Sequence, residues 1–331
     1  MNSEAVSCGN ETTRNAGGSA LAQWVEQYRP YASQGRCANY IPALAKQDPS
    51  QLGIFIIGSD GPTLAAGDWH TSFTLQSVSK VISFLAACLY NGVAKVLEKV
   101  DVEPTGDAFD SMIRLEMHKP GRPFNPMINA GAITVASLLP GNSPEEKFGS
   151  LSMLMEKMTG KPAVINEEVF QSEWQTANRN RALAYYLKAT GYLDCAVEDA
   201  LAVYIKQCAI EVSTEQVAMI GLILANDGYH PIRKEQLFSK EVARLTKALM
   251  VTCGMYNASG KFAAFVGVPA KSGVSGGILA AIPPRAKHQG TPFPDGCGIG
   301  IFGPSIDEYG NSVAGVLLLQ HIAREWDLAI F

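Results

Sequence analysis

The chain has little of what metal-binding and nucleic-acid-binding proteins need. Its five histidines, at positions 70, 118, 230, 288 and 321, stand apart, and none of its seven cysteines belongs to a C-x-x-C pair. These spacings match no metal-site pattern. Charged residues make up only 18% of the 331 residues, the net charge is −4, and no basic stripe is visible. The composition therefore predicts a protein without a bound metal and without a nucleic-acid partner.

Long apolar runs are also absent. Gly, Pro or Lys breaks every candidate before it reaches the ~18 residues that a membrane-spanning helix needs. The first twenty residues are polar, small and glycine-containing, without the apolar segment of a secretory signal. An odd number of scattered cysteines is typical of reduced thiols. We therefore expect a cytoplasmic protein with no membrane partner and a flexible tail over residues 1–20.

Strand-like patterns occur near both ends of the chain. Leu52–Ile57 is a β-branched run that ends in the turn residues Gly58–Pro62 and leads into a second strand over Thr63–Asp68. Such a pair of runs predicts a hairpin. In the last hundred residues, short apolar runs separated by turns predict consecutive antiparallel strands. These runs are Phe262–Val268, Gly277–Ile282 and Gly298–Phe302.

Helical patterns fill the middle and both flanks of the chain. The apolar run after Lys80 is too long for a strand and predicts a buried helix that begins near Ser77 and ends at Asn91-Gly92. Ser213 before Gln216 is typical of a helix N-cap. The other predicted helices are Ala20–Tyr28, Ala182–Lys188, Val197–Cys208, Thr214–Ala225 and Ser312–Trp326.

This order of elements predicts an α/β (α+β) fold. One antiparallel sheet forms from both chain ends, helices flank it, and a helical lobe is inserted between the two parts. We expect residues 21–331 to be a single two-lobed domain. The sheet lobe covers approximately 21–80 and 228–331, and the helical lobe approximately 81–227. The functional site is expected in the cleft between the lobes, where pockets commonly form.

Ser77-Val78-Ser79-Lys80 is the first candidate for chemistry. Residues three apart share a helix face, so the Ser77 hydroxyl and the Lys80 amine can meet. A neutral lysine could activate the serine as a nucleophile, and burial beside a helix N-terminus disfavours the charged lysine. The motif is short and also fits a helix-capping serine with a solvated lysine.

Lys271-Ser272-Gly273 is the second candidate and follows the apolar run that begins at Lys261. A K-[ST]-G element lines the wall opposite the serine in penicillin-recognising sites, although the same residues can form a surface turn. The two motifs occur in the expected order and favour a serine acyl-transfer enzyme. The S-D-N element of penicillin-recognising proteins is missing, which argues for another amide substrate.

Further blocks occur in order along the chain. They are Asn39–Pro42, Leu75–Lys80, Asn125–Ala132, Phe170–Glu173, Arg179–Asn180, Cys253–Tyr256 and Pro269–Gly277. Together they resemble the bacterial-type glutaminase family of the serine β-lactamase-like fold. The resemblance runs from about Asn39 to Phe331 and shows no departure at a catalytic position.

The resemblance implies roles for individual residues. Ser77 is implied as the nucleophile, Lys80 as its partner and Tyr256 as a proton-transfer residue, with the choice of base between Lys80 and Tyr256 left open. The backbone N–H groups of Ser77 and Val274 would form the oxyanion hole. The implied substrate-binding residues are Tyr40, Gln76, Asn129, Glu173, Asn180, Tyr204, Lys271 and Val274.

These residue types suit the amino-acid end of glutamine. A carboxylate such as that of Glu173 suits an ammonium, and amide or phenol donors suit a carboxylate. Each residue also has a structural interpretation without a ligand: Glu173 could lie in the first turn of a helix, and Tyr204 has the spacing of a core residue.

The resemblance implies hydrolysis of L-glutamine to L-glutamate and ammonia, without a cofactor, by a homo-oligomer that is a tetramer in the family. A β-lactamase or transpeptidase is one alternative, but these enzymes usually act outside the cytoplasm. A non-catalytic amino-acid sensor is the other. An altered nucleophile or lysine would favour the sensor, and both Ser77 and Lys80 are intact.

Overall fold

The structure is a computed structural model that describes residues 18–117, 121–284 and 291–331. Residues 1–17 of the predicted N-terminal tail lie outside these ranges, and residues 18–20 already belong to the first helix, α1, over 18–28. The longer strands are β1 (Gly53–Gly58), β2 (Thr63–Gly67), β8 (Ala270–Ser272), β9 (Gly277–Ile282) and β10 (Cys297–Phe302). The shorter strands are β3 (Phe73–Thr74), β4 (Val164–Ile165), β5 (Ile210–Val212), β6 (Tyr229–His230) and β7 (Glu235–Gln236).

The main sheet has five antiparallel strands in the order β2-β1-β10-β9-β8. Strand β1 pairs with β10 in a register that sets Ile56 against Ile299, and β10 pairs with β9. The beginning and the end of the described chain therefore share one sheet, which confirms the prediction. The hairpin predicted from Leu52 to Asp68 is also confirmed as β1 and β2.

Helices surround this sheet and fill the middle of the chain. The first of them are α2 (Ser79–Asn91), α3 (Val93–Lys99), α4 (Ile113–Met117), α5 (Asn129–Ser137), α6 (Pro144–Thr159) and α7 (Glu167–Thr176). The others are α8 (Asn178–Ala189), α9 (Val197–Cys208), α10 (Thr214–Ala225), α11 (Lys240–Cys253), α12 (Ser259–Phe265) and α13 (Val313–Glu325). Short 3₁₀ helices cover Arg29–Gln34, Leu44–Lys46, Gln76–Val78 and Tyr256–Ala258.

Every residue of β1 is buried because helices cover both faces of the sheet. Alternate side chains of a strand point to opposite faces. Ile54 and Ile56 pack with residues of α1 and α13, whereas Phe55 and Ile57 pack with Ala218 and Leu222 of α10. The strand therefore reads as a continuous apolar run in the sequence rather than as an alternating one.

Helix α10 approaches the sheet closely because β10 carries glycines on that face. A Cβ atom on Gly298 would lie 1.8 Å from the carbonyl oxygen of Ala218, and one on Gly300 would lie 2.0 Å from that of Thr214. The predicted capping box at Ser213 is present and fixes the start of α10. The G-x-G spacing of β10 thus makes a flat surface on which the helix backbone rests.

The predicted strand over Phe262–Val268 is wrong, because Ser259–Phe265 forms helix α12. Phe262 and Val266 are buried four residues apart, whereas Phe265 between them is 66% exposed. That is helical periodicity, but a short apolar run does not distinguish a helix from a strand by itself. The strand before Gly273 is the shorter β8, and it contains Lys271.

Within the described ranges, no single helix is long and apolar enough to cross a membrane. The segments Gln76–Asn91 and Val93–Lys99 meet the length and composition criteria only as a pair, and a 120° bend separates them.

The close packing of α10 on β10 yields a stability prediction. We expect Gly298→Ala to lower the free energy of unfolding by about 3 kcal/mol, because the new methyl group overlaps the backbone of α10. Gly149 in α6 is the matched control, since a Cβ there meets nothing within 4 Å. Gly149→Ala should stabilise the protein by about 0.5–1 kcal/mol through helix propensity. Urea unfolding of both variants measures the difference, and equal effects would contradict the packing argument.

Candidate active site

Ser77 lies in the 3₁₀ turn that joins β3 to the buried helix α2. The residue before it, Gln76, has a left-handed backbone with φ of 46°, a conformation that non-glycine residues rarely adopt and that often marks functional sites. The Ser79 hydroxyl donates to the Gln76 carbonyl at 2.7 Å. Ser77 is 8% exposed, and its N–H lies in a first turn, where backbone donors lack intrahelical acceptors.

Lys80 lies one turn further on and is fully buried. Its Nζ donates to the carbonyl oxygen of Met127 at 3.1 Å and to Oδ1 of Asn129 at 2.7 Å. Burial lowers the pKa of Lys80 to about 8, although Cys208 and Glu173 act in the opposite direction. A neutral amine has two N–H donors and one lone pair, so these two bonds leave the lone pair free to accept a proton.

Tyr256 lies close to the Ser77 hydroxyl. Its backbone is also left-handed, with φ of 53°, and its ring lies 5.1 Å from that of Phe109. The Tyr256 hydroxyl is buried and lacks a hydrogen-bond partner among the described residues. Burial raises the pKa of Tyr256, whereas the nearby Ser77 hydroxyl lowers it. A buried, unpartnered phenol next to a serine is available for proton transfer.

The turn after Lys271 and Ser272 is held directly against the serine turn. A Cβ atom on Gly273 would lie 2.6 Å from the Leu75 carbonyl oxygen, and the Ser275 hydroxyl donates to the Thr74 carbonyl at 2.6 Å. Within the turn, Gly273 donates to Gly277 and Gly276 donates to Gly273. Among the described residues the N–H of Val274 has no backbone acceptor, so it can act as an oxyanion donor.

Four polar side chains lie near Lys80: those of Asn129, Asn180, Glu173 and Gln76. Nδ2 of Asn129 donates to Oδ1 of Asn180 at 3.0 Å, which links Lys80, Asn129 and Asn180 in one chain of contacts. Glu173 is buried, and Nε2 of Gln76 donates to its carboxylate at 3.4 Å. Burial raises the pKa of Glu173 to about 7, while Gln76 and Lys80 lower it. The enclosed carboxylate therefore suits a cationic ligand that would restore its charge.

Two further tyrosines and Lys271 complete the predicted set. Tyr204 is buried, and its pKa is raised by burial and then by Cys208, Glu173, Tyr256 and Tyr40. Tyr40 is 52% exposed and is the most accessible of these residues. Lys271 is fully buried, and its Nζ lies 4.3 Å from the centre of the Tyr256 ring. The structure thus brings the predicted residues together, with Lys271 on the Tyr256 side.

Some parts of the site carry no motif that reveals them in the sequence. The Met127 carbonyl accepts a hydrogen bond from Lys80, and the Cys208 carbonyl accepts one from Gln76. Cys208 also follows Tyr204 by four residues on α9, a spacing that puts both on one helix face. A cavity of about 500 Å³ borders Tyr256 and is lined by Phe109, Met127 and Cys253 among others.

No metal site is evident in residues 18–117, 121–284 and 291–331, since no group of three or more His, Cys, Asp or Glu side chains is placed to hold an ion. The chemistry available is that of the Ser77 hydroxyl, two lysine amines, three phenols and the Glu173 carboxylate. A serine next to a buried lysine, faced by a K-S-G strand at the edge of an antiparallel sheet, is the arrangement of the serine β-lactamase-like fold.

Comparison with known proteins gives the family. The glutaminase family model matches residues 35–331, so the chain belongs to the glutaminase family. Glutaminase 2 of Bacillus cereus is 68% identical over 311 residues, which are 94% of this chain and 95% of that protein. Glutaminase 1 of Bacillus subtilis is 65% identical over 311 residues, with the same coverage of both chains.

Solved structures of relatives have the same fold. The crystal structure of a probable glutaminase from Bacillus subtilis superposes with a TM-score of 0.91 at 62% identity, covering 96% of this chain and 98% of that one. A second structure is the covalent complex between a Bacillus subtilis glutaminase and 5-oxo-L-norleucine, formed by reaction with 6-diazo-5-oxo-L-norleucine. It has a TM-score of 0.87 at 59% identity and covers 95% of this chain and 100% of that one.

Proposed function

We propose that this protein hydrolyses L-glutamine to L-glutamate and ammonia through a serine-linked glutamyl-enzyme intermediate. The observation that carries the proposal is the buried Lys80 amine, which stands one turn from Ser77 and has a lowered pKa. Its hydrogen-bond acceptors among the described residues are two neutral oxygens. The high identity to glutaminases supports the choice of substrate. The covalent complex of a relative with a glutamine-like diazoketone supports a nucleophilic mechanism.

In the first half-reaction, neutral Lys80 takes the proton of the Ser77 hydroxyl, and Oγ attacks the side-chain amide carbon of glutamine. The N–H groups of Ser77 and Val274 stabilise the resulting oxyanion. The tetrahedral intermediate re-forms its C=O bond as the C–N bond breaks, and Tyr256 gives its hydroxyl proton to the departing nitrogen. Ammonia leaves, and the proton held by Lys80 returns to the phenolate.

In the second half-reaction, water attacks the glutamyl ester. The same base takes a proton from the water, the new oxyanion uses the same two N–H donors, and Ser77 recovers its proton as the ester C–O bond breaks. The enzyme returns to its starting protonation state, and glutamate is released. No step calls for a cofactor.

The residues around Lys80 bind the α-amino and α-carboxylate groups of glutamine. Glu173 binds the ammonium, since a buried carboxylate gains most from a cation. The donors for the substrate carboxylate come from Asn180 and Tyr204, while Asn129 links Asn180 to Lys80. We assign Tyr40 to the entrance and Gln76 to the alignment of Glu173.

We further propose that residues 21–331 work as one two-lobed catalytic domain of a cytoplasmic homotetramer. Free thiols support the location, because the six cysteines in the described ranges are all unpaired, as is usual in reducing compartments. The tetramer rests on the family resemblance, and light scattering of the purified protein tests it.

We expect 6-diazo-5-oxo-L-norleucine to label Ser77 covalently in a protein that also releases ammonia from glutamine. Intact mass and peptide mapping locate the adduct. Ser77→Ala should abolish both the label and the ammonia release. Ser83→Ala is the matched control, because Ser83 is a buried serine on the same helix that donates to a backbone carbonyl. Labelling of a cysteine while Ser77 stays unmodified would refute the assignment of Ser77 as the nucleophile.

Lys80 must lose its proton before it can act as the base. Its folded pKa is about 8, so the neutral fraction grows as pH rises through that value. We expect kcat/KM to rise with pH and to level off above an apparent pKa near 8. Lys80→Arg should lower kcat by about 1,000-fold or more, since arginine stays protonated. A Lys80→Arg enzyme with near-parental turnover would instead make Lys80 a charged anchor and Tyr256 the base.

Glu173→Gln should raise KM for glutamine by about 100-fold, because the substrate ammonium loses its buried counter-charge. In the parent enzyme KM should also rise as pH falls through about 7, where the Glu173 carboxylate becomes protonated. That pH dependence should vanish in the variant. Glu168→Gln on the same helix is the control, since Glu168 forms only an exposed ion pair with Lys46. Equal KM values for Glu173→Gln and the parent would remove Glu173 from the binding site.

A further inference from the structure

Lys271 is enclosed on the Tyr256 side of the site. Its side chain is fully buried, and Nζ donates to the carbonyl oxygen of Ser272 at 2.5 Å. The amine also stands over the face of the Tyr256 ring, 4.3 Å from its centre. The reacting side chain that it touches is therefore Tyr256, which suggests a role different from substrate contact.

The backbone of α11 and β8 holds Lys271 and Tyr256 next to each other. Helix α11 ends against strand β8, where a Cβ atom on Gly254 would lie 1.8 Å from the Ala270 carbonyl oxygen. The N–H of Ser272 donates to the Gly254 carbonyl at 3.1 Å. Two residues after Gly254, Tyr256 has a left-handed backbone, and its ring lies against the amine of Lys271, which belongs to β8.

The Tyr256 ring is also held in place from other directions. The Ser259 hydroxyl donates to the Tyr256 carbonyl at 2.7 Å and accepts from the N–H of Met255 at 3.0 Å. A Cβ atom on Gly310 would lie 3.2 Å from the ring, and the Phe109 ring packs 5.1 Å away. The amine and the ring therefore keep their relative position while the phenol exchanges its proton.

The groups around Tyr256 and Lys271 disfavour the charged form of each residue when it is alone. Cys208, Asp307 and Glu173 all raise the pKa of Tyr256 and so oppose a phenolate. Burial and the nearby Lys80 lower the pKa of Lys271, while Cys253 and Cys208 raise it. Within the described residues Lys271 forms no ion pair with a carboxylate. A phenolate on Tyr256 would be the counter-charge that this amine lacks.

We propose that Lys271 is a positioning residue that acts through Tyr256 and makes no direct contact with the substrate. Its amine holds the ring through its contact with the ring face. In its protonated form, which a phenolate on Tyr256 favours, it stabilises the negative charge that gathers on the phenol oxygen as the hydroxyl proton passes to the departing nitrogen. The inference rests on the proposed function, in which Tyr256 supplies that proton.

A double-mutant cycle with Tyr256→Phe tests this role, because it separates an effect through Tyr256 from an effect on the fold. Lys271→Met keeps the length and apolar stem of the side chain and removes the amine. We expect it to lower kcat for ammonia release by about 30-fold or more while KM stays within about 3-fold of the parent value. In the Tyr256→Phe background the same substitution should change the rate by less than about 3-fold.

If Tyr256→Phe turns over too slowly for a continuous ammonia assay, the glutamate formed over hours at saturating glutamine, measured by mass spectrometry, gives kcat for the cycle. Two outcomes overturn the proposal. A raised KM with kcat preserved would assign Lys271 to the substrate, and an equal fold loss in both backgrounds would assign it to structure alone. A parent protein that neither releases ammonia nor takes the label would refute the proposed function itself.

Lys147→Met controls for the removal of a buried lysine. Lys147 is 8% exposed, and its Nζ donates to the carbonyl oxygens of Ser137 and Leu139. It resembles Lys271 in burial and in its backbone acceptors, but these acceptors lie at the carboxyl end of α5, outside the site. Lys147→Met should lower the melting temperature and leave kcat and KM within about 3-fold of the parent. A loss of kcat like that of Lys271→Met would show that burial alone causes the effect.

Discussion

The site depends on the enclosure of the Lys80 amine, to which no carboxylate of the described residues is bonded. A charged amine in an apolar interior costs several kcal/mol after relaxation, and a neutral one costs far less. The helix that carries Lys80 is buried along nearly its whole length, so the lysine has no route to solvent. The oxygens that meet it belong to a carbonyl and an amide, which accept hydrogen bonds without demanding a positive charge.

Two residues with strained backbones lie beside Ser77. Gln76 and Tyr256 both have positive φ angles, and each costs on the order of 1–3 kcal/mol. Interactions elsewhere offset that cost: the K-S-G turn is held against the Leu75 carbonyl, and Ser259 bonds to both sides of the tyrosine turn. The strained turns fix where the Ser77 hydroxyl and the Tyr256 phenol stand relative to the buried helix α2. Such preorganisation is what transition-state stabilisation requires.

Much of the fold could be predicted because its signals are local. The turn residues Gly58–Pro62 indicate the hairpin of β1 and β2, and the Ser213 cap indicates the start of α10. The apolar run of α12 gives no such signal, and its helical conformation follows from the burial of Phe262 and Val266 against neighbours distant in sequence. The burial of Lys271 could not be predicted from the sequence for the same reason. The K-S-G motif identifies the residues, but their burial depends on where α11 ends. Short motifs thus predict which residues belong to the site, whereas the burial of each residue depends on tertiary packing.

The pairing of β1 with β10 also has a consequence for how the chain reaches its fold. The partner of Ile56 is Ile299, so a ribosome finishes almost the entire chain before that edge can be paired. Until then the early hairpin presents unpaired N–H and C=O groups on an apolar ribbon, which is the feature that invites association between nascent chains. Closing so long a loop also slows the search for the native register. The helices between Ser79 and Ala225, whose contacts are closer in sequence, are available earlier, so the sheet is the part of this molecule that is completed last.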